Sequence, residues 1–127
     1  MSRKEIERGL GIRKDKYHRV APEQRTWLGI VFDSRKEMIR YQELVAAEKA
    51  GIIHKLERQV AWPLYALRFN KADKSPIKPV GNYIADFTYI DDQERTIVED
   101  VKGMITPLAR WKLKHFQLQY GLTVLLT

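Results

Sequence analysis

The chain has 127 residues, of which 44% are hydrophobic and 31% charged, with only 7 Gly and 5 Pro. This is the profile of one folded domain around a single core, and it excludes a disordered tail and a two-domain enzyme. There is no cysteine, so disulfide scaffolds, thiolate zinc sites, iron–sulfur clusters and cysteine nucleophiles are excluded as well. Lys and Arg number 23 against 16 Asp and Glu, a formal charge of +7, which favours a polyanionic partner such as nucleic acid or an anionic membrane.

The first ten residues, MSRKEIERGL, carry no apolar signal-peptide region, and no stretch approaches the roughly 18 apolar residues of a spanning helix. The expectation is a cytoplasmic protein with no membrane contact. The charge is unevenly placed: residues 1–25 carry a net +4, residues 26–100 a net −1 and residues 101–127 a net +4. Basic flanks could grip phosphates while the middle keeps an acidic patch for another purpose, such as metal; an unevenly charged solvated surface is the alternative.

In chain order, residues 1–25 are polar without a period and form a basic arm containing Arg13, Lys14 and Lys16. One domain fills residues 26–127. Trp27 to Phe32 is a short apolar run broken by Gly29, the leg of a strand or hairpin. Asp33-Ser34-Arg35-Lys36-Glu37 opens a helix that should run to about Ala50 and stop at Gly51, with Tyr41, Leu44 and Val45 as its buried stripe. Ile53 to Leu64 alternates as a strand, with Leu56, Val60, Trp62 and Leu64 on one face and Lys55, Glu57 and Gln59 on the other, weakening near Pro63.

Residues 68–81 contain Lys71, Lys74 and Lys78 with two prolines and read as a basic loop. Strands at Tyr83 to Ile90 and Thr96 to Lys102 flank the polar turn Asp91-Asp92-Gln93-Glu94-Arg95. Thr106-Pro107 starts a second helix, in which Ala109, Leu113, Phe116 and Tyr120 form the apolar stripe and Arg110, Lys114 and Gln117 line another face. Gly121 ends it, and Leu122 to Leu126 should close the sheet as a buried strand. The order helix, three strands, helix, strand is an α/β core without internal repeat.

There is no Gly-rich phosphate loop, no paired histidine and no Gly-x-Ser-x-Gly elbow; His18, His54 and His115 are scattered and read as surface or packing residues. The carboxylates of the hairpin are the better lead. Asp86 stands in the middle of an apolar and aromatic strand, where Asp is disfavoured. Asp100 and Lys102 are two apart and share a face of the next strand. A three-residue loop at Asp92, Gln93 and Glu94 sets Asp86 opposite Asp100, whereas a two-residue loop sets it opposite Glu99. Either pairing brings two carboxylates within about 5 Å, which a divalent cation with oxygen ligands would relieve. An ammonium beside such a cation could orient or deprotonate water and neutralise charge on phosphate; a solvated Asp–Lys pair is the plainer alternative. Glu37 fits a capping box with Ser34, yet it also lies on the stripe of Tyr41 and Leu44, so capping and metal-shell roles are both open.

Ala85-Asp86, then 13 intervening residues, then Asp100-Val101-Lys102, with Glu37 on a preceding helix, resembles the PD-(D/E)XK nuclease motif. Phe32-Asp33-Ser34-Arg35-Lys36-Glu37, Tyr83 to Tyr89, and Val98-Glu99-Asp100-Val101-Lys102-Gly103 with Thr106 are similar, more closely, to a phage protein family related to Holliday junction resolvases. The resemblance spans roughly residues 27 to 127 and departs from the usual motif at Ala85, which replaces a proline, and at Asp100, which replaces Glu. It implies a restriction-endonuclease-like core, a central mixed β-sheet flanked by helices. It also implies an active site of Glu37, Asp86, Asp100 and Lys102, with Mg²⁺ or Mn²⁺ on Asp86, Asp100 and the carbonyl of Val101. The expected function is a phage- or prophage-encoded, metal-dependent endonuclease acting on branched DNA in the host cytoplasm. Arg110, Lys112, Lys114, Lys71, Lys74 and the N-terminal arm would bind phosphates. Cutting two strands would call for two sites and so permits a homodimer. A noncatalytic DNA-binding module on the same fold and an interaction protein with an acidic hairpin are the rival readings.

Overall fold

A computed structural model describes residues 19–66, 72, 77–101 and 104–127. The chain forms two units, Met1–Arg40 and Tyr41–Thr127. Among the described residues no helix is long and apolar enough to cross a membrane.

In the first unit, a turn of 3-10 helix at Pro22–Arg25 leads into a two-stranded antiparallel hairpin, β1 (Thr26–Trp27) and β2 (Ile30–Val31). The run Trp27 to Phe32 therefore supplies most of a complete hairpin. Leu28 and Gly29 form its loop with φ of 51° and 76°, the left-handed pair that matches the twist of adjoining strands. The hairpin is tied to the preceding segment at both ends of one rung: Phe32 N–H donates to the Arg25 carbonyl, and the Arg25 guanidinium donates to the carbonyls of Phe32 and Val20.

Helix α1 (Arg35–Lys49) begins in the first unit and continues in the second. Ser34 Oγ accepts the N–H of Glu37 at 3.1 Å, the N-cap bond expected of Ser at this position. At the other end Gly51 takes φ of 76°, with Gly51 N–H donating to Glu48 and Ile52 N–H to Ala47. Those two bonds are the Schellman closure, which needs a residue at ease in left-handed backbone.

The second unit holds a four-stranded sheet in the order β3 (His54–Leu64), β4 (Gly81–Ile90), β5 (Thr96–Asp100), β6 (Val124–Leu126). The first three strands are antiparallel, and β6 lies parallel to β5. A parallel neighbour needs a crossover, and helix α2 (Pro107–Tyr120) provides it. Thr106 Oγ1 caps α2 by accepting Ala109 N–H at 3.1 Å, with Pro107 in the first turn and Gly121 ending the helix. The sequence order and the α/β class are as expected, with a mixed sheet and a helix packed on each face.

Each helix covers its own core. Leu113 and Phe116 of α2 pack with Leu64, Tyr83, Ala85, Val98 and Val124, while Leu44 of α1 packs with Ile53, Phe87 and Tyr89, with Tyr41, Ala47 and Leu56 against them. Strict alternation would put Tyr83, Ala85, Phe87 and Tyr89 on one face of β4. Two of them serve one core and two the other, so the pleat turns over between Ala85 and Phe87.

Strand β3 turns over with it. Trp62 and Leu64 join the α2 core and Leu56 the α1 core, which corrects the expectation that Leu56, Trp62 and Leu64 share a face. The physical cause is local: Gln59 has φ of 51°, a left-handed conformation that breaks the two-residue period. The register runs through Arg58↔Phe87 and Val60↔Ala85 on either side of Gln59 and Asp86.

Pro63 is tolerated inside β3 because this is an edge strand, and its carbonyl accepts bonds from Gln119 and Tyr120 of α2. The closing strand departs from expectation. Only Val124 is buried, Leu125 and Leu126 being 47% and 44% exposed, because β6 is a short edge strand. Strand β5 ends at Asp100; Lys102 and Gly103 lie outside the described residues, as do residues 1–18 of the arm and most of the basic loop.

The left-handed turn at Gln59 gives a direct check. A β-branched residue resists this backbone strongly, so Gln59→Val should lower stability by roughly 1–2 kcal/mol beyond the effect of Glu57→Val on the same strand, read from urea midpoints.

Candidate functional site

The hairpin loop decides which acids meet. Asp91 N–H donates to the Arg95 carbonyl, Glu94 takes φ of 60°, and Phe87 pairs with Glu99 and Thr88 with Val98. This is the three-residue loop, a turn closed by a left-handed residue, and its register brings Asp86 across from Asp100. Asp91 builds the loop: its Oδ1 accepts the N–H groups of Gln93 and Arg95, and its Oδ2 accepts the Arg95 guanidinium at 2.8 Å. The Arg95 N–H, foremost, holds the Asp91 carboxyl below its ordinary value of 3.8.

At the mouth of the hairpin two carboxylates accept the amides of each other's strands. Asp86 N–H donates to Asp100 Oδ1 at 3.3 Å, and Val101 N–H donates to Asp86 Oδ2 at 2.8 Å. Past the Phe87↔Glu99 rung these side-chain bonds take over from the ladder. The Tyr83 hydroxyl donates to Asp100 Oδ2, and Gln59 Nε2 donates to Asp86 Oδ1 at 3.3 Å. Asp100 is fully buried and Asp86 half-buried. Burial first, then the bond to Asp100, then the charges of Asp100 and Asp86 push the Tyr83 phenol far above its usual range.

Glu99 is also fully buried but points to the opposite face. It accepts bonds from Tyr89, a member of the α1 core, at 2.8 Å and from Thr127 at 3.1 Å. The pairing of Asp86 with Asp100 thus leaves Glu99 in a separate site. Glu37 belongs to the first unit, where it is 3% exposed in the first turn of α1. Among the described residues no group of three His, Asp or Glu side chains is placed to hold a metal; what converges is the pair of aspartates.

Of the basic candidates, Arg110 and Lys114 are exposed on α2, and Lys112 is half-buried beside Tyr83, Asn82 and Thr106 around a cavity of about 250 Å³. Lys71, Lys74, Lys102, Arg13, Lys14 and Lys16 lie outside the described residues. His54 faces Glu94 at 3.6 Å, and His115 Nε2 lies 2.8 Å from the Tyr65 carbonyl.

Sequence reasoning passed over Tyr83 and Gln59, the partners of the two aspartates. Neither carried a signal in the sequence: an offset of three sets Tyr83 and Asp86 on opposite faces of a regular strand, and nothing marks Gln59.

Residues 15–126 match a family model described as a protein of unknown function, DUF1064. The chain belongs to that family. No curated protein and no solved structure matches it. The reciprocal aspartates and their partners Tyr83 and Gln59 all lie within the span that DUF1064 covers.

Two outcomes follow. Tyr83→Phe keeps the ring against Phe116 but withdraws a donor from a buried carboxylate, and it should cost about 1–3 kcal/mol in urea unfolding. For Asp91 the folded value is depressed, so the stability it adds is complete above about pH 4 and is lost as pH falls through its folded value. The gap in urea midpoint between wild type and Asp91→Asn should accordingly be widest near neutrality and close progressively in acid.

Proposed function

We propose that this chain is a metal-dependent endonuclease that hydrolyses phosphodiester bonds, with branched DNA as its substrate. The observation that carries the reading is the aspartate pair: two carboxylates on adjacent strands, in register, each engaging the other's backbone. The donor chemistry fits a hard divalent cation. The groups are all oxygen, and Mg²⁺ uses one or two carboxylates and completes its shell with water and substrate phosphate. Asp86, Asp100 and the carbonyl of Val101 would hold Mg²⁺ or Mn²⁺, which when bound supplies Lewis acidity toward the phosphate and lowers the pKa of water.

The chain's own residues would do the rest. Tyr83 and the Asp86 amide hold the Asp100 carboxylate in one orientation, and both are neutral donors, so they fix its position without cancelling its charge. Lys102, two residues on, would place an ammonium near the attacking water and the phosphate. Arg110 and Lys114 on α2 would hold the backbone without reading sequence. Cleavage would leave 5′-phosphate and 3′-hydroxyl ends. A phage or prophage origin, action in the host cytoplasm and a working homodimer belong to the same proposal.

A second reading rests on an observation of its own. Asp100 is completely buried, and acids that stitch a strand end together could be purely structural, leaving a DNA-binding module. The two separate when cutting and binding are measured apart. The expected result is cleavage of junctions or flaps by the full chain with Mg²⁺ or Mn²⁺. Asp100→Asn should reduce the rate by at least about a hundredfold, more than loss of an outer-sphere partner does, and leave DNA affinity in EDTA unchanged or tighter. Absence of metal-dependent cleavage across branched and linear substrates decides for the second reading, whereas cleavage by Asp100→Asn at the wild-type rate removes the aspartate pair from the chemistry.

A further inference from the structure

The outer face of α2 does not follow the helix's own pattern. Its buried side carries Leu113 and Phe116, and the opposite ridge should be polar. Instead Trp111 and Leu118 project there, 80% and 78% exposed, with Lys114 between them. Together with Tyr65, His115 and Gln119 they line an open groove of about 930 Å³, room for more than one flat ring.

The groove is built in advance. Gln119 Oε1 accepts Tyr65 N–H at 2.9 Å, His115 Nε2 lies 2.8 Å from the Tyr65 carbonyl, and Gln119 Nε2 donates to the Pro63 carbonyl at 3.0 Å. These bonds pin the end of β3 to α2, so the Tyr65 backbone needs no ordering when a ligand arrives.

Charge selects the occupant. From residue 101 to 127 the sequence has four basic side chains and no acidic one, and Arg110 and Lys114 are exposed on the helix surface beside Trp111. A second copy meeting this face with its own would set cations against cations. An occupant with flat apolar faces and a string of negative charges meets both demands, and that describes nucleic acid whose bases are unpaired. Base stacking on an exposed aromatic tolerates any sequence, and adjacent cations bind the phosphates.

We infer that Trp111, with Leu118 and Tyr65, is a stacking platform for unpaired DNA bases and that Arg110 and Lys114 hold the accompanying phosphates. This deepens the nuclease reading and rests on it for the role of DNA as substrate: a branch point exposes unpaired bases where plain duplex does not.

The test is fluorescence anisotropy of the full chain in EDTA, at matched salt, with labelled oligothymidylate and with blunt duplex. Trp111→Ala should weaken oligothymidylate binding by about tenfold or more while Trp111→Phe retains most of it, as expected for a stacking contact. Duplex affinity should hardly change. Leu118→Glu, a substitution at another exposed position, should weaken oligothymidylate binding likewise. Equal losses on both DNAs, or none on either, would overturn the inference. So would Trp111-dependent binding of an acidic amphipathic peptide without binding of oligothymidylate, which would mark a protein-docking face. A wild-type dimer in sedimentation that Trp111→Ala dissolves would also overturn it. Because every binding arm lacks metal, its failure leaves metal-dependent cleavage standing, and a chain that stacks bases on Trp111 yet cuts nothing retains the platform and loses the nuclease.

Discussion

The turnover of the pleat at Gln59 and Asp86 is the constraint from which the second unit's other features follow. A strand with period-two alternation offers one apolar face, but this sheet must satisfy α1 on one side and α2 on the other. Strands β3 and β4 do so by presenting one half of their length to each helix, and the reversal requires Gln59 in left-handed backbone. Such a conformation costs about 1–2 kcal/mol in a residue with a side chain. The ladder between β4 and β5 also stops here, and buried amides without acceptors would be expensive. Carboxylates at positions 86 and 100 supply those acceptors, which explains why a strand so rich in apolar residues carries an Asp in its middle.

The same geometry distributes the buried charge. Asp100 and Glu99 are consecutive, fully buried and directed to opposite faces, and each receives a tyrosine hydroxyl from β4. The two tyrosines, Tyr83 and Tyr89, stand three residues before and three after Asp86, one on each side of the turnover. Burying a carboxylate without such bonds is prohibitive. Tyrosine satisfies a lone pair while leaving the charge in place, whereas a lysine or arginine would neutralise it. For a structural acid either donor would serve; for an acid meant to attract a cation, the neutral donor is the better choice.

These features differ in how far they could be read from the residues alone. Helix α2 was legible from end to end, because Thr106, Pro107, the Leu113 and Phe116 stripe and Gly121 are each local signals with local causes. The register of the hairpin reduced to two alternatives by counting, and the left-handed residue at Glu94 selects one. Leu56 was misassigned because a period-two reading assumes an unbroken pleat, and nothing about a glutamine announces positive φ. The burial of Leu122 to Leu126 was overstated because apolar character does not reveal that a strand lies at an edge. Trp111 stands out of phase with the apolar stripe in the helical period, but its exposure depends on how the helix packs and not on the period alone.

Helix α2 joins the acid pair to the groove around Trp111. Its inner side sets Phe116 against the ring of Tyr83, centroids 5.0 Å apart, and Tyr83 in turn orients Asp100. Its outer side displays Trp111 and the two cations. A rigid helix between the two places keeps their separation constant, which is what the proposed nuclease would require of a site and a platform that act on one substrate. It also explains why the two kinds of residue should separate under mutation. Phe116 and Tyr83 belong to the core, so changes there disturb folding and acid geometry together. Trp111 and Leu118 contribute nothing to that core, and their exposure is a standing cost in water that only an apolar ligand removes.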